Sequence, residues 1–294
     1  MGTPPNKEKR TRHTTTCVFC QAKDLTETHI WPRWLNNLLR PTQSRFTDIE
    51  RIGHVAAPHE RKISMGSIFS QKPYLWCVDC NTKWMQRFED EMLKFAKPLF
   101  TGGERCILNN RQIRIFSVWV GLITVLSEYI DIKRTSVTVS RRDRSFIKRT
   151  SSLPDTWTVV ACSSNAEREW RVKWRYRALF EGSFETSDKF YAKIATGPDA
   201  NTVISSFGMG KIFVQVFHCP HMELVQDFRV ATKAWGFTQL WPPPMTFWPF
   251  KRGTAKFPTK LTLTDQDAEE IADKFHTTLN FRRKPAWSAP KRPP

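Results

Sequence analysis

Two pairs of cysteines with the same spacing carry the clearest chemistry in this sequence. Cys17 and Cys20 stand in "CVFC", and Cys77 and Cys80 stand in "CVDC". Two residues between cysteines allow both sulfurs to reach one ion from a tight turn, and two such turns complete a tetrahedral four-thiolate Zn²⁺ site. Four thiolates leave no open coordination position, so this zinc is expected to be structural. A redox pair or a coincidence of spacing is the alternative.

His29 and Asn81 are the residues that could support a reaction beside such a zinc site. His29 follows Cys20 after a short segment, and Asn81 comes directly after Cys80. A neutral imidazole can take a proton from water near pH 7, and an amide oxygen suits a hard cation such as Mg²⁺. If zinc joins the cysteine pairs, His29 and Asn81 are expected to meet over one shallow site. The alternative is a purely structural His29.

Hydrophobic periodicity indicates the elements that must position these residues. We predict a short helix after Pro32, strands near residues 59–69 and over "KPYLWC", and a helix after Cys80 that Pro98 ends. A mostly buried helix is predicted over residues 111–132. A final helix over residues 263–275 follows, with Thr264 as its cap.

The pattern of short strands dominates the middle of the chain. Strands are predicted at residues 136–140, 156–162, 169–180, 189–195 and 211–218, the last apolar on both faces and suited to the centre of a sheet. Residues 235–250 are predicted to be a loop rich in Trp and Pro. Its Trp235, Trp241 and Trp248 either stack on unpaired bases or, as we favour, wrap the core.

These elements predict an α+β fold class, with an antiparallel-rich sheet in the larger part. Four parts are predicted: a basic mobile arm (1–15), a zinc module (16–103), an α+β domain (104–281) and a basic Pro-rich tail (282–294). Seven cysteines without a signal peptide argue against a disulfide framework. The longest apolar run, residues 115–126, is too short to span a bilayer. We therefore predict a reduced, cytoplasmic protein without membrane association.

The formal net charge of +18 predicts attraction to polyanions, of which nucleic acid is the commonest. In one predicted strand Arg171, Lys173, Arg175 and Arg177 alternate with apolar residues. Side chains on one strand face repeat at roughly 6.5 to 7 Å, which can track successive phosphates. The alternative is a solvent-facing strand whose charges prevent edge pairing. The basic segment Arg141–Arg149 adds to this charge or is an ordinary solvated loop.

The motifs "CVFC", "THIWPRWL" and "CVDCNTKWMQRFEDE" resemble the four-cysteine branch of the HNH, or His-Me finger, endonucleases. The resemblance is specific over residues 17–90. Elsewhere the chain is similar to bacterial HNH proteins of about this length, with a late "WP" motif before a final helix. The resemblance implies a treble-clef-like ββα-metal module around one catalytic divalent ion. It gives His29 the general-base position and Asn81 a metal-ligand position.

One residue departs from the pattern that the resemblance implies. The family usually has Asp or Glu directly before the histidine as a second metal ligand, whereas this chain has Thr28, with Glu27 one residue earlier. Either the ion is held more loosely, or Glu27 bends in, or activity is reduced or lost. We therefore predict a Mg²⁺-dependent endonuclease acting on nucleic acid, with DNA as the expected substrate. The alternative is a zinc-dependent nucleic-acid-binding protein that does not cleave.

Overall fold

The structure is a computed structural model, and it describes residues 14–39, 47–52, 72–102, 105–129, 137–165, 170–178, 201–243 and 253–274. The predicted strands at 59–69 and 189–195, the basic tail, Trp248 and all but the end of the basic arm lie outside these residues. Within them, no helix is long and apolar enough to cross a membrane.

Eleven strands and six α-helices follow one another along the described residues. In chain order they are β1 (Leu25–Glu27), α1 (Arg33–Leu39), β2 (Thr47–Ile52), β3 (Tyr74–Cys77), α2 (Gln86–Thr101), β4 (Cys106–Leu108), α3 (Asn110–Ser127), α4 (Arg141–Thr150), β5 (Trp157–Ser164), β6 (Trp170–Ala178), β7 (Thr202–Met209), β8 (Ile212–His218), α5 (Met222–Ala234), β9 (Thr238–Trp241), β10 (Ala255–Phe257), β11 (Thr262–Leu263) and α6 (Asp265–Lys274). A π-helical turn, Cys80–Met85, leads directly into α2. The α+β class is confirmed, with mainly antiparallel sheets.

The largest sheet has the order β11-β5-β8-β7-β6-β2, and β9 also pairs with β5. The pairs β5–β8, β7–β8 and β6–β7 are antiparallel, whereas β2–β6 and β11–β5 are parallel. The prediction that residues 211–218 form a central strand is confirmed, because β8 lies between β5 and β7. Its side chains divide between two cores, with Val214 and Val216 in one and Phe213 and Phe217 in the other.

Helices cover both faces of this sheet. The buried residues of α3 share one core with Val214 and Val216, and those of α5 and α6 share the other core with Phe213 and Phe217. The first core is continuous from Cys17 to Phe257 and therefore includes residues on both sides of the predicted boundary at 103–104. That domain boundary stays a prediction.

The prediction that Pro98 ends its helix is wrong. Helix α2 contains Pro98 and continues to Thr101, and the chain leaves the helical conformation at Gly102, where φ is 68°. Proline removes one backbone hydrogen bond of the helix. The last turn is retained because Leu99 and Phe100 are buried in the core, and tertiary packing of an apolar face stabilises helices more than local propensity does.

The predicted strand at residues 136–140 is also wrong for the part that the structure describes, residues 137–140. The buried carboxylate of Glu128 accepts hydrogen bonds from the N–H groups of Thr138 and Val139, at 3.3 and 3.1 Å. These donors are therefore engaged by a side chain instead of a neighbouring strand. The segment leads into α4, and Ser140 caps this helix by accepting from the N–H of Asp143 at 3.0 Å. Residues 141–149 are thus helical and are not a loop.

The predicted Trp/Pro loop over residues 235–250 begins with ordered structure. Residues 238–241 form β9, and Trp235 and Trp241 are only 7% and 8% exposed. Their core-wrapping role is therefore confirmed. The cap of the last helix is confirmed too, because the Thr264 hydroxyl accepts from the N–H of Asp267 at 3.2 Å.

Candidate metal centre and adjoining site

The four cysteines of the two CxxC pairs come together in one cluster. Their Sγ atoms all lie within 4.8 Å of one another. Cys20 Sγ is 3.4 Å from Cys77 Sγ and 3.6 Å from Cys80 Sγ. Zn–S bonds of about 2.3 Å in a tetrahedron place sulfurs about 3.8 Å apart, so the cluster is close to the size that a zinc ion requires. The four residues could therefore hold a metal such as zinc.

Backbone hydrogen bonds bring the two pairs together across a long stretch of sequence. The N–H of Val18 donates to the carbonyl of Leu75 in β3 at 3.0 Å, which attaches the first pair to the strand that carries Cys77. The first turn closes through the N–H of Gln21, which donates to the Cys17 carbonyl, and Gln21 has φ of 68°. In the second turn the N–H of Cys80 points at Cys77 Sγ, at 3.4 Å.

Three aromatic rings that neighbour the cysteines in sequence contact one another. Phe19, between the first two cysteines, contacts Trp76 and Trp84 with ring centroids 5.2 and 5.1 Å apart. Trp76 precedes Cys77, and Trp84 lies in the π-helical turn that begins at Cys80. The three rings thus join both cysteine turns in one apolar layer.

The thiols of the cluster perturb one another strongly. The pKa of Cys17 falls to about 4, chiefly because the Cys80 side chain hydrogen-bonds to its thiolate. The pKa of Cys80 is raised, chiefly by the same hydrogen bond, and burial raises the pKa of Cys77 to about 11. Sulfurs this close cannot all ionise unaided because like charges repel. A bound dication removes this conflict, since each thiolate then becomes a ligand.

Asn81 is held against the first strand of the same module. Strands β1 and β3 pair antiparallel, with Leu25 opposite Cys77. From the helical turn that follows, Asn81 Nδ2 donates to Thr26 Oγ1 and to the Glu27 carbonyl, both at 3.1 Å. These two bonds fix the nitrogen of the amide toward β1 and leave Oδ1 as the atom suited to bind a cation. The observed role of Asn81 is to position β1, and its role as a metal ligand stays a prediction.

His29 lies just beyond β1 on a well-anchored backbone. The N–H of Thr28 donates to the Pro73 carbonyl at 2.9 Å, and Ile30 and Trp31 are buried on the other side of His29. His29 itself is partly exposed, whereas its Nδ1 atom is shielded from solvent. The accessible part of the ring therefore lies away from Nδ1. Asn81 reaches the carbonyl two residues before His29, so both predicted catalytic residues belong to one local arrangement.

The two residues before His29 are both engaged in the fold. Thr28 is only 2% exposed, and its hydroxyl is 3.5 Å from the Thr26 carbonyl. The Glu27 carboxylate accepts from the Tyr74 hydroxyl at 3.2 Å. A metal role for Thr28 stays a prediction, and the buried hydroxyl offers little room for one.

Glu89 is a titratable residue that the sequence did not single out. It lies on α2, two residues before Glu91, and burial raises its pKa to about 7, with the charge of Asp90 adding to the effect. A carboxyl group that titrates near neutral pH is a common feature of sites that transfer protons. The acidic run "EDE" contains this residue, but only the packing of α2 distinguishes Glu89 from its exposed neighbour Asp90.

The basic strand proposed to meet phosphates is β6. It is not an edge strand, because it pairs with β7 on one side and with β2 on the other. The register places Lys173 opposite Asp48 and Arg175 opposite Glu50 in β2. The alternative interpretation, in which the charges prevent pairing at an open sheet edge, therefore does not apply to β6. Two carboxylate residues of β2, Asp48 and Glu50, thus occupy positions next to Lys173 and Arg175 in the sheet. Binding of phosphate stays a prediction for Arg171, Lys173, Arg175 and Arg177.

Comparisons of this chain with protein-family models, with curated proteins and with solved structures found no match.

Proposed function

We propose that the protein is a metal-dependent endonuclease of the HNH class, with a structural zinc ion at the four cysteines and a catalytic Mg²⁺-type ion near His29. The observation that carries the proposal is the arrangement β1, β3 and helix beside the cysteine cluster, with Asn81 hydrogen-bonded to the Glu27 carbonyl. Two strands and a helix are the elements of the treble-clef-like ββα-metal module that the sequence resembles. The helix follows directly from the last cysteine, as that resemblance requires.

In this proposal His29 acts as the general base. Its neutral imidazole takes a proton from water, and the resulting hydroxide attacks the phosphorus of a phosphodiester, so that a new P–O bond forms while the bond to the leaving oxygen breaks. Asn81 keeps β1 in place and so positions His29. A divalent ion held by Asn81 Oδ1, with Thr28 as the second predicted ligand, would stabilise the charge that develops on the phosphate and on the leaving oxygen. The net charge of +18 supports nucleic acid as the substrate, with DNA the expected form.

Supercoiled plasmid incubated with the zinc-loaded protein and Mg²⁺ tests the proposal. We expect His29→Ala to lower the nicking rate by about 10²–10⁴-fold, the usual contribution of a general base, with zinc content and DNA affinity unchanged. His221→Ala is the matched control, because His221 precedes α5, whose buried residues belong to the other core from that of Ile30 and Trp31. Equal nicking by wild type and His29→Ala would refute the assignment.

A second candidate function is nucleic-acid binding without cleavage. The burial of Thr28 and the contact between Glu27 and Tyr74 favour it, because no carboxylate precedes His29 directly. Thr28→Asp separates the two functions. A live but weakened nuclease should gain activity or need less Mg²⁺, whereas a binding protein should stay inactive. Melting temperature must be measured alongside, since the new carboxylate would be placed in a buried position.

A further inference from the structure

A four-thiolate zinc centre carries a formal charge of −2, since four thiolates surround one dication. Cys17, Cys77 and Cys80 are at most 2% exposed. Burial of uncompensated charge is costly, and nearby cations or N–H donors must offset it. The N–H of Cys80 directed at Cys77 Sγ supplies part of this compensation.

Helix α4 supplies two cations on the side that meets the cysteine cluster. Arg144 and Lys148 are four residues apart and therefore lie on one face of the helix. Arg144 Nε donates to the carbonyl of Val18, which lies between the first two cysteine ligands, at 2.9 Å. Arg144 Nη1 donates to the Val139 carbonyl at the start of α4. The guanidinium thus joins the helix to the first cysteine turn.

Lys148 lies beside the second cysteine turn. Its Nζ atom is 4.4 Å from the centre of the Trp84 ring, and Trp84 lies in the π-helical turn that begins at Cys80. The Trp84 ring nitrogen also donates to Ser151 Oγ at the end of α4, at 3.3 Å. One helix therefore contacts both halves of the metal centre.

The three other arginines of α4 differ from Arg144 and Lys148 in their exposure to solvent. Arg141, Arg142 and Arg149 are exposed, and the latter two line a separate cleft together with His218. Only Arg144 and Lys148 are partly buried and contact the cysteine turns.

We propose that α4 is an electrostatic clamp for the four-cysteine metal centre, in which Arg144 and Lys148 offset the negative charge of the thiolates and slow the loss of zinc. The proposal requires metal at the cysteines but does not depend on nuclease activity. It assigns two of the five cations of residues 141–149 to the metal centre instead of to nucleic acid.

Zinc release from the full-length protein to a chromophoric chelator tests this proposal. Partners just outside the ligands of a metal typically change its affinity by about 10–100-fold. We expect Lys148→Met and Arg144→Met each to release zinc faster within that range, with Lys148→Arg restoring slow release. Arg149→Met is the matched control, since it removes the same charge from the same helix without a contact to the cysteines.

Ionic strength provides a second readout that distinguishes charge compensation from packing. Added salt screens the attraction, so zinc release from wild type should accelerate with salt more than release from Lys148→Met. The absorption of the cobalt-substituted protein should still show four thiolate ligands in every variant. The proposal is overturned if Lys148→Met and Arg149→Met release zinc at the same rate, or if wild type binds no zinc. If Arg144→Met does not fold, the comparison between Lys148→Met and Arg149→Met still decides it.

Discussion

Removal of zinc from the four-cysteine cluster should lower the free energy of unfolding by several kcal/mol. Four-thiolate zinc binding contributes about 10–16 kcal/mol in apparent terms, and about 12.3 kcal/mol corresponds to a Kd near 1 nM. At a free zinc concentration of about 1000 Kd, ligand binding adds about 4.1 kcal/mol to the free energy of unfolding. For a chain of 294 residues, an unfolding entropy of about 2.1 cal/mol/K per residue converts this loss into a fall in Tm of roughly 7 °C when zinc is removed.

Cys77→Ser should reproduce this loss without any chelator. Cys77 is both a predicted ligand and the acceptor of the Cys80 N–H, so both turns lose a partner. The assay is thermal unfolding of wild type and variant, each with elemental analysis for zinc. Cys106→Ser is the control, because Cys106 lies in β4 outside the cluster. Folded wild-type protein that contains no zinc, or a Cys77→Ser variant that melts with wild type, would refute the reasoning.

Two further predictions concern the sheet. Burial lowers the pKa of His218 to about 4, and the Asp143 carboxylate at 3.5 Å only partly opposes this effect. Between pH 4 and about 6.5, the ordinary pKa of histidine, His218 is therefore protonated in the unfolded chain but not in the folded protein. The free energy of unfolding should consequently fall by about 3 kcal/mol from pH 7 to pH 4. His218→Gln should remove this pH dependence from urea unfolding curves. Replacing Lys173 and Arg175 with Gln should reduce the salt slope of DNA binding by about two if each contacts a phosphate, and an unchanged slope would mean that neither does.

Elements with strong local signals could be predicted from the sequence. The spacing of the cysteine pairs, the doubly apolar pattern of β8 and the capping Thr264 each depend on a few neighbouring residues. The buried helix predicted over residues 111–132 corresponds to α3, which ends earlier, at Ser127, and begins at a reciprocal cap formed by Asn109 and Gln112. In these cases the local pattern and the tertiary structure agree.

Elements that depend on distant contacts could not be predicted. The residues before α4 alternate like a strand, and only the buried Glu128 carboxylate shows why they do not pair. Pairing of β2 with β6 joins residues that are far apart in the chain. At the candidate site, no local pattern indicates that Asn81 hydrogen-bonds to β1 or that Thr28 is buried, because both result from how the strands and the helix pack.

Cleavage of supercoiled plasmid by the zinc-loaded wild-type protein, titrated with Mg²⁺ or Mn²⁺ and without chelator, tests the central claim most directly. The account predicts nicking that requires the divalent ion, saturates with its concentration and is lost in His29→Ala. Because no chelator is added, the cysteine-bound zinc stays in place. An absence of nicking therefore cannot be caused by unfolding of the zinc module. Folded, zinc-loaded protein that cleaves neither DNA nor RNA with any divalent ion, while binding them in a salt-dependent way, would contradict the nuclease assignment.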